Sequence, residues 1–227
     1  MNCKDSIETE IVMQLDIKQT GPLEVNTYIL KDEKSKEAVI IDLGGSFDEI
    51  KKELDEQGYS LKYILNTHGH FDHVVGESVV QQKYPDIPIY MHKSDLPHLE
   101  NMREEMGWFG RIKADGNLNI TNFIDENSQL YIGDKKIQVF YTPGHSKGSL
   151  SFYVDEKVFT GDALFYRSIG RTDFYDGDYD TLINSIKTNL LTLPDDTKAY
   201  PGHGPSTTIQ NEKLNNPYLN DKLTKKE

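Results

Sequence analysis

Five of the chain's seven histidines fall in three short segments. These are T-H-G-H-F-D-H (Thr67–His73), T-P-G-H-S (Thr142–Ser146) and Y-P-G-H-G (Tyr200–Gly204); a fourth segment, T-G-D (Thr160–Asp162), adds a carboxylate. Each follows a short apolar run that reads as a strand, at 61–66, 137–141, 198–200 and 158–160 respectively. Loops leaving the ends of several strands are where proteins of alternating strands and helices assemble sites. Glycine immediately precedes His145, Asp162 and His203 and allows a sharp backbone turn there. The fold is thus constrained to bring loops from both halves of the chain to one place.

The rest of the pattern suits that demand. Val25–Leu30 and Ala38–Asp42 read as strands, the second closed by Leu43-Gly44-Gly45. Ser46 with Glu49 has the spacing of a capping box; Phe47, Ile50 and Leu54 follow a helical period, and Gly58 ends it. A helix is expected from about His73 to Tyr84, stopping at Pro85. Leu150–Val154 reads as a further strand, and Asp178 to about Leu190 as a helix with Leu182, Ile186 and Leu190 on one stripe. Residues 93–130 have no clear period, although Pro97 can open a short helix. Strands and helices interleave in both halves, so the class is α/β or α+β, with helices covering sheets. The 227 residues suit one domain, with its core at about 10–210.

Spacing divides the candidate metal ligands. His68 and His70, two apart in an extended stretch, point the same way and with His145 form one set. Asp72 and His73 diverge from them as a helix begins and with His203 form a second; Asp162 can bridge. Imidazole with carboxylate suits zinc, iron or manganese, and the ligand types alone do not choose among them. Two divalent ions about 3.5–4 Å apart form a hydrolytic device that polarises a carbonyl and ionises water. No Ser-His or Cys-His nucleophile is evident, so metal-bound hydroxide is the strong nucleophile on offer, and Asp72 can accept a hydrogen bond from it and orient it.

Composition excludes other classes. A net charge of −12 argues against nucleic acid, which needs clustered Lys and Arg. No apolar run reaches the roughly 18 residues of a membrane span, and the N-terminus lacks the apolar core of a signal peptide, so the expected location is the cytoplasm. Cys3 is the single cysteine and permits neither an internal disulfide nor a thiolate metal site. His92 and His98 lack a ligand context and read as structural. Asp42 either caps a turn or steers a ligand loop from behind it. Trp108 and Phe109 read as core or lid packing. Arg171 is either a buried ion-pair partner of Asp173 or a substrate contact.

With these residues in place the chain resembles the metallo-β-lactamase superfamily. The H-x-H-x-D-H motif is complete in His68, His70, Asp72 and His73, and His145, Asp162 and His203 follow in the superfamily's order. Within it, the segments G-D-A-L-F (Gly161–Phe165), G-R-T-D-F (Gly170–Phe174) and P-G-H-G-P (Pro201–Pro205) are similar to glyoxalase II-like hydrolases of the short bacterial type. The resemblance implies an αββα four-layer sandwich of the α+β class. It implies hydrolysis of a small-molecule thioester, such as S-D-lactoylglutathione, to a thiol and a hydroxy acid. Full-length glyoxalases II carry a C-terminal helical domain that grips glutathione, whereas residues 204–227 after His203 are too few for one. They also place an aromatic residue where Asp173 stands, which leaves the thiol carrier open. Persulfide dioxygenases share an R-T-D-F segment and hold one iron at positions matching His68, His145 and Asp162, so they are the nearest rival. A β-lactamase is disfavoured by the absent export signal, a nuclease by the acidic charge, and a non-catalytic metal-binding module by the complete ligand set.

Overall fold

Every residue of Val25–Asp32 is buried, which requires a cover on each face of the sheet it belongs to. The computed structural model describes residues 13–100 and 118–220. The first sheet runs, in spatial order, β1 (Gln14–Thr20), β2 (Val25–Asp32), β3 (Glu37–Ile41), β4 (Ser60–Leu65), β5 (Ile89–Met91) and β6 (Asn122–Phe123). Its first three strands pair antiparallel and the rest parallel. The second sheet comprises β7 (Leu130–Ile132), β8 (Lys135–Tyr141), β9 (Leu150–Val154), β10 (Lys157–Gly161), β13 (Lys198–Pro201) and β14 (Thr207–Thr208), ordered β14-β13-β10-β9-β8-β7. Between β10 and β13 lies a small hairpin, β11 (Leu164–Phe165) with β12 (Ser168–Ile169).

Strand alternation distributes the apolar residues into three layers of core. Tyr28, Leu30, Val39, Ile41 and Leu65 of the first sheet meet Val139, Phe152 and Phe159 of the second. Their neighbours Ile29, Ala38, Ile40 and Ile64 point the other way, onto α1 (Phe47–Glu56), α2 (Phe71–Val74) and α3 (Glu77–Lys83). Val158 and Ala199, on the outer face of the second sheet, pack under α5 (Tyr179–Ser185) and α6 (Ile209–Asn215) through Leu182, Ile186 and Ile209. The result is an αββα sandwich of the α+β class, as the resemblance implies. Sheets covered on both faces explain why β2 to β4 read as apolar runs rather than alternations.

Several local expectations change. Ser46 precedes α1 in the left-handed region (φ 56°) and makes no side-chain cap; a capping hydroxyl needs an extended backbone, so the capping box is not formed. The helix expected from about His73 to Tyr84 is two helices, α2 and α3. The Gly76 N–H donates to Leu43 O at 3.0 Å instead of continuing the first of them. Asp42 lies beyond β3 with φ 57°, a conformation Asp tolerates better than most residues. Residues 96–100 are helical (α4), consistent with Pro97 opening a helix. Asp178 caps α5 by accepting the Thr181 N–H at 2.7 Å, and the helix continues as a π turn over Ile186–Leu190. Leu182, Ile186 and Leu190 are all fully buried. At about 1.5–3 kcal/mol for each fully buried Leu or Ile, this stripe outweighs any single exposed helix ion pair at about 0.2–0.5 kcal/mol. Packing sets the position of α5. No helix among the described residues is long and apolar enough to cross a membrane.

Candidate metal centre

Strand direction puts the loops on one edge. β10 runs parallel to β13 and antiparallel to β9, which is antiparallel to β8. The C-terminal ends of β8, β10 and β13 therefore point the same way and release Thr142–Ser146, Asp162 and Gly202–His203. In the first sheet β3 and β4 are parallel and release Asp42 and Asn66–His73. His70 is the extended residue before α2 (φ −64°, ψ 145°), and Asp72 and His73 lie in its first turn. Two glycines have distinct reasons to be there. Gly161 takes a positive φ of 49°. Gly202 lies so close to the centre that a Cβ would fall 2.2 Å from Asp162 Oδ1 and 2.6 Å from the His73 ring.

The seven residues converge. Candidate ligand atoms of His68, His70 and His145 lie within 4.8 Å of one another, as do those of Asp72, His73 and His203, and those of His68, His73 and Asp162. His70 Nδ1 and His145 Nε2 are 2.9 Å apart, and His203 Nε2 is 3.0 Å from Asp72 Oδ2. The Asp162 carboxylate sits between the sets: Oδ1 is 3.5 Å from His73 Nε2, and Oδ2 is 3.7 Å from His145 Nε2 and 3.9 Å from His203 Nε2.

Outer partners aim the rings. Asp42 accepts the Thr67 N–H and hydroxyl at 2.7 and 2.8 Å and the His73 Nδ1–H at 2.9 Å. Thr67 Oγ1, already donating to Asp42, accepts from His68 Nδ1 at 3.0 Å. The backbone carbonyl of Arg171 accepts the His145 Nδ1–H at 2.8 Å. These bonds leave the Nε2 atoms of all three rings facing inward. Among the described residues, His68 Nε2, His73 Nε2 and Asp162 Oδ1 are buried with no hydrogen-bond partner. Buried polar atoms without partners are rare, and imidazoles whose far nitrogen is held by an acceptor are the usual form of metal-ligating histidine. The donor set fits divalent cations.

Charge is divided within the cluster. Burial lowers the His68 imidazolium well below its usual range, and the neighbouring histidines push it further. Burial pulls His73 down too, but Asp72, Asp42 and Asp162 reverse this and hold it well above. Burial opposes ionisation of Asp162, yet His73, His145 and His203 hold its carboxyl below the ordinary value.

The centre floors a cleft of about 620 Å³ whose walls include Leu23, Phe71, Phe174 and Tyr175. Arg171 stands at its rim and pairs with Asp173 in a two-pronged contact, Nε–Oδ1 2.7 Å and Nη2–Oδ2 2.8 Å. The pair is exposed, at 58% and 67% of the two side chains, so the buried ion pair considered from sequence is corrected: solvent reaches both partners. Arg171's guanidinium also lies 4.2 Å over the Phe174 ring, and its hydrogen bonds push the Asp173 carboxyl down to about 2. His92 stacks on the Tyr141 ring. His98 is buried, bonds Asp176 at 3.0 Å, and packs edge-on against His70 with centroids 4.5 Å apart. It therefore stands nearer the centre than its sequence context suggests. Trp108 and Phe109 lie outside the described residues. Sequence reasoning missed Phe174, Tyr175, Asp95 and Asp176. Only Phe174 carried a signal, as the end of the segment that begins at Gly170.

Comparison with known proteins agrees. The family model of the metallo-beta-lactamase superfamily matches residues 20–203. The chain is 38% identical over 213 residues to the hydroxyacylglutathione hydrolase GloC of Haemophilus influenzae, covering 92% of this chain and 100% of that one. It is 36% identical over 207 residues to the probable metallo-hydrolase YqgX of Bacillus subtilis, covering 88% and 94%. Among solved structures, BLEG-1, a B3 metallo-beta-lactamase, superposes with a TM-score of 0.81 at 35% identity, covering 91% of this chain and 99% of that one. TTHA1623, crystallised in a di-iron-bound form, gives 0.78 at 35% identity, covering 90% and 100%. Matched along most of its length by family, relatives and structures alike, the chain belongs to the metallo-beta-lactamase superfamily.

Proposed function

We propose that this chain hydrolyses the thioester of an S-(2-hydroxyacyl) thiol, of which S-D-lactoylglutathione is the type, in the cytoplasm. The observation that carries the reading is the convergence of His68 Nε2, His73 Nε2 and Asp162 Oδ1, buried without hydrogen-bond partners among the described residues, beside a cleft lined by His70, Asp72, His145, Asp162 and His203. The 38% identity to GloC supports the acyl-thiol class. In this reading His68, His70 and His145 would hold one divalent ion and Asp72, His73 and His203 a second, with Asp162 available to both, zinc being the expected metal and iron or manganese the alternatives. When bound, such a pair supplies Lewis acidity toward the acyl oxygen and lowers the pKa of water toward about 7.

The chain's own groups do the rest. Asp72 accepts a hydrogen bond from the attacking water and orients it. Water adds to the acyl carbon, the C–S bond breaks, and the products are a hydroxy acid and a thiol. Thiol pKa values lie near about 8.5, so the leaving sulfur departs without a strong general acid. Phe174 and Leu23 offer the acyl chain apolar walls, and Arg171 stands where a carboxylate of the carrier would reach the rim. Release of thiol from S-D-lactoylglutathione by metal-loaded protein, lost on chelation and restored by metal, tests the reading; absence of turnover across hydroxyacyl thioesters rejects it.

The Gly170–Phe174 segment favours a second reading, a single-iron dioxygenase acting on a persulfide. A solved ETHE1 structure from Myxococcus xanthus matches at 28% identity with a TM-score of 0.73. Oxygen uptake with glutathione persulfide, at one iron per chain, would establish it in place of the hydrolase.

A further inference from the structure

Asp95 is fully buried, at the end of a short 3-10 turn (Lys93–Asp95) that leads into α4, and it is not among the residues lining the cleft. Its Oδ2 accepts the Gly69 N–H and the Ser146 hydroxyl, each at 2.8 Å, and its Oδ1 accepts the Gly148 N–H at 2.5 Å. Gly69 separates His68 from His70, and Ser146 and Gly148 follow His145. One carboxylate therefore joins the two loops that carry His68, His70 and His145.

The loops are built around that carboxylate. A Cβ on Gly148 would fall 2.5 Å from Asp95 Oδ1, and one on Gly69 would fall 2.8 Å from the Asp95 backbone oxygen. Asp95 is fully buried, so solvent does not compete for these hydrogen bonds. His98, on the same segment, packs edge-on against His70 and bonds Asp176, which also accepts the Lys147 N–H at 3.2 Å. The His203 loop is held by other means: the Asn26 amide donates to Pro201 O and Gly204 O, and the Tyr28 hydroxyl to Pro201 O.

We infer that Asp95 is a positioning residue that clasps the His68–His70 loop to the His145 loop in the register one cation requires, without acting on the Asp72–His73–His203 group. The inference rests on the metal reading given under Proposed function. Outer partners of metal ligands contribute about 10–100-fold to metal affinity, and in Asp95 that contribution falls on one half of the centre.

The test is titration of the metal-free full chain with Co(II) against a competing chelator, with the melting temperature of each metal-free variant measured alongside. In Asp95→Ala, the Co(II) equivalent that His145→Ala abolishes weakens by about 10–100-fold, while the equivalent that His203→Ala abolishes stays unchanged. Ser146→Ala removes a single donor and weakens the same equivalent by less. Asp95→Asn keeps the size but supplies one accepting oxygen, and falls between wild type and Asp95→Ala. Unchanged affinity in both Asp95→Ala and Ser146→Ala overturns the inference. So does equal weakening of both equivalents together with a collapsed metal-free melting temperature, the mark of a merely structural residue. Failure of the wild type to take up any Co(II) instead rejects the metal reading itself.

Discussion

Asp42 Oδ2 lies 2.9 Å from His73 Nδ1, on the far side of the ring from Asp72 and Asp162, and so fixes which nitrogen of His73 faces the centre. The same carboxylate holds Thr67, which in turn holds His68. One residue just beyond β3 thus sets the aim of two rings.

Asp42→Asn keeps the size but exchanges an accepting oxygen for a donor. The expected outcome is a fall of about 10–100-fold in metal affinity with the fold retained, read by chelator competition and circular dichroism. Unchanged affinity would return Asp42 to the role of a turn cap.

The Asp162 carboxylate lies within 4 Å of His73, His145 and His203 together. Asp162→Ala should lose metal and thioester turnover together, the first read by elemental analysis and the second by thiol release. Preserved turnover at full metal content would remove it from the bridging position.

Asp173 neutralises Arg171 at the rim of the cleft. Exposed ion pairs are worth about 0.2–1 kcal/mol, so releasing Arg171 has a modest effect. Asp173→Ala should lower KM for a thioester with an anionic carrier by up to about fivefold, leaving kcat and the KM of a neutral thioester unchanged. An equal change for both substrates would show that Arg171 does not read the carrier's charge.

Glu77 is fully buried, and neither its oxygens nor the polar atoms of the Asn66 side chain have a hydrogen-bond partner among the described residues. Burial raises its carboxyl well above the ordinary 4.5, and Asp42 adds to the rise. A carboxyl whose pKa is higher in the folded state favours folding below 4.5 and loses that contribution as pH climbs toward the folded value. Glu77→Gln, which carries no proton to lose, should gain melting temperature over wild type, with the gap widening as pH rises above 4.5. A gap independent of pH would contradict a neutral buried Glu77.

Features that residue type and short spacing determine were legible in the sequence. The His68–His73 cluster, the glycines before His145, Asp162 and His203, and the apolar runs of β2 to β4 all announce themselves locally. β1 was missed because Asp16 and Lys18 interrupt its pattern on an exposed edge, where charge is normal. The break between α2 and α3 depends on a bond from Gly76 to Leu43, a tertiary contact that no helical period encodes. Ser46 carries capping chemistry, but its left-handed backbone is set by the chain around it. Asp95 was invisible for the same reason, since its partners Gly69 and Gly148 stand 26 and 53 positions away. Sequence showed which residues would meet, and the structure showed what holds them in aim.

In the proposed function, seven side chains from distant loops hold a pair of cations. Elemental analysis of the full chain, loaded with Zn(II) and dialysed, tests it most directly. Two zinc ions per chain are expected, falling to one or none in Asp162→Ala. One ion or none in the loaded wild type would contradict it.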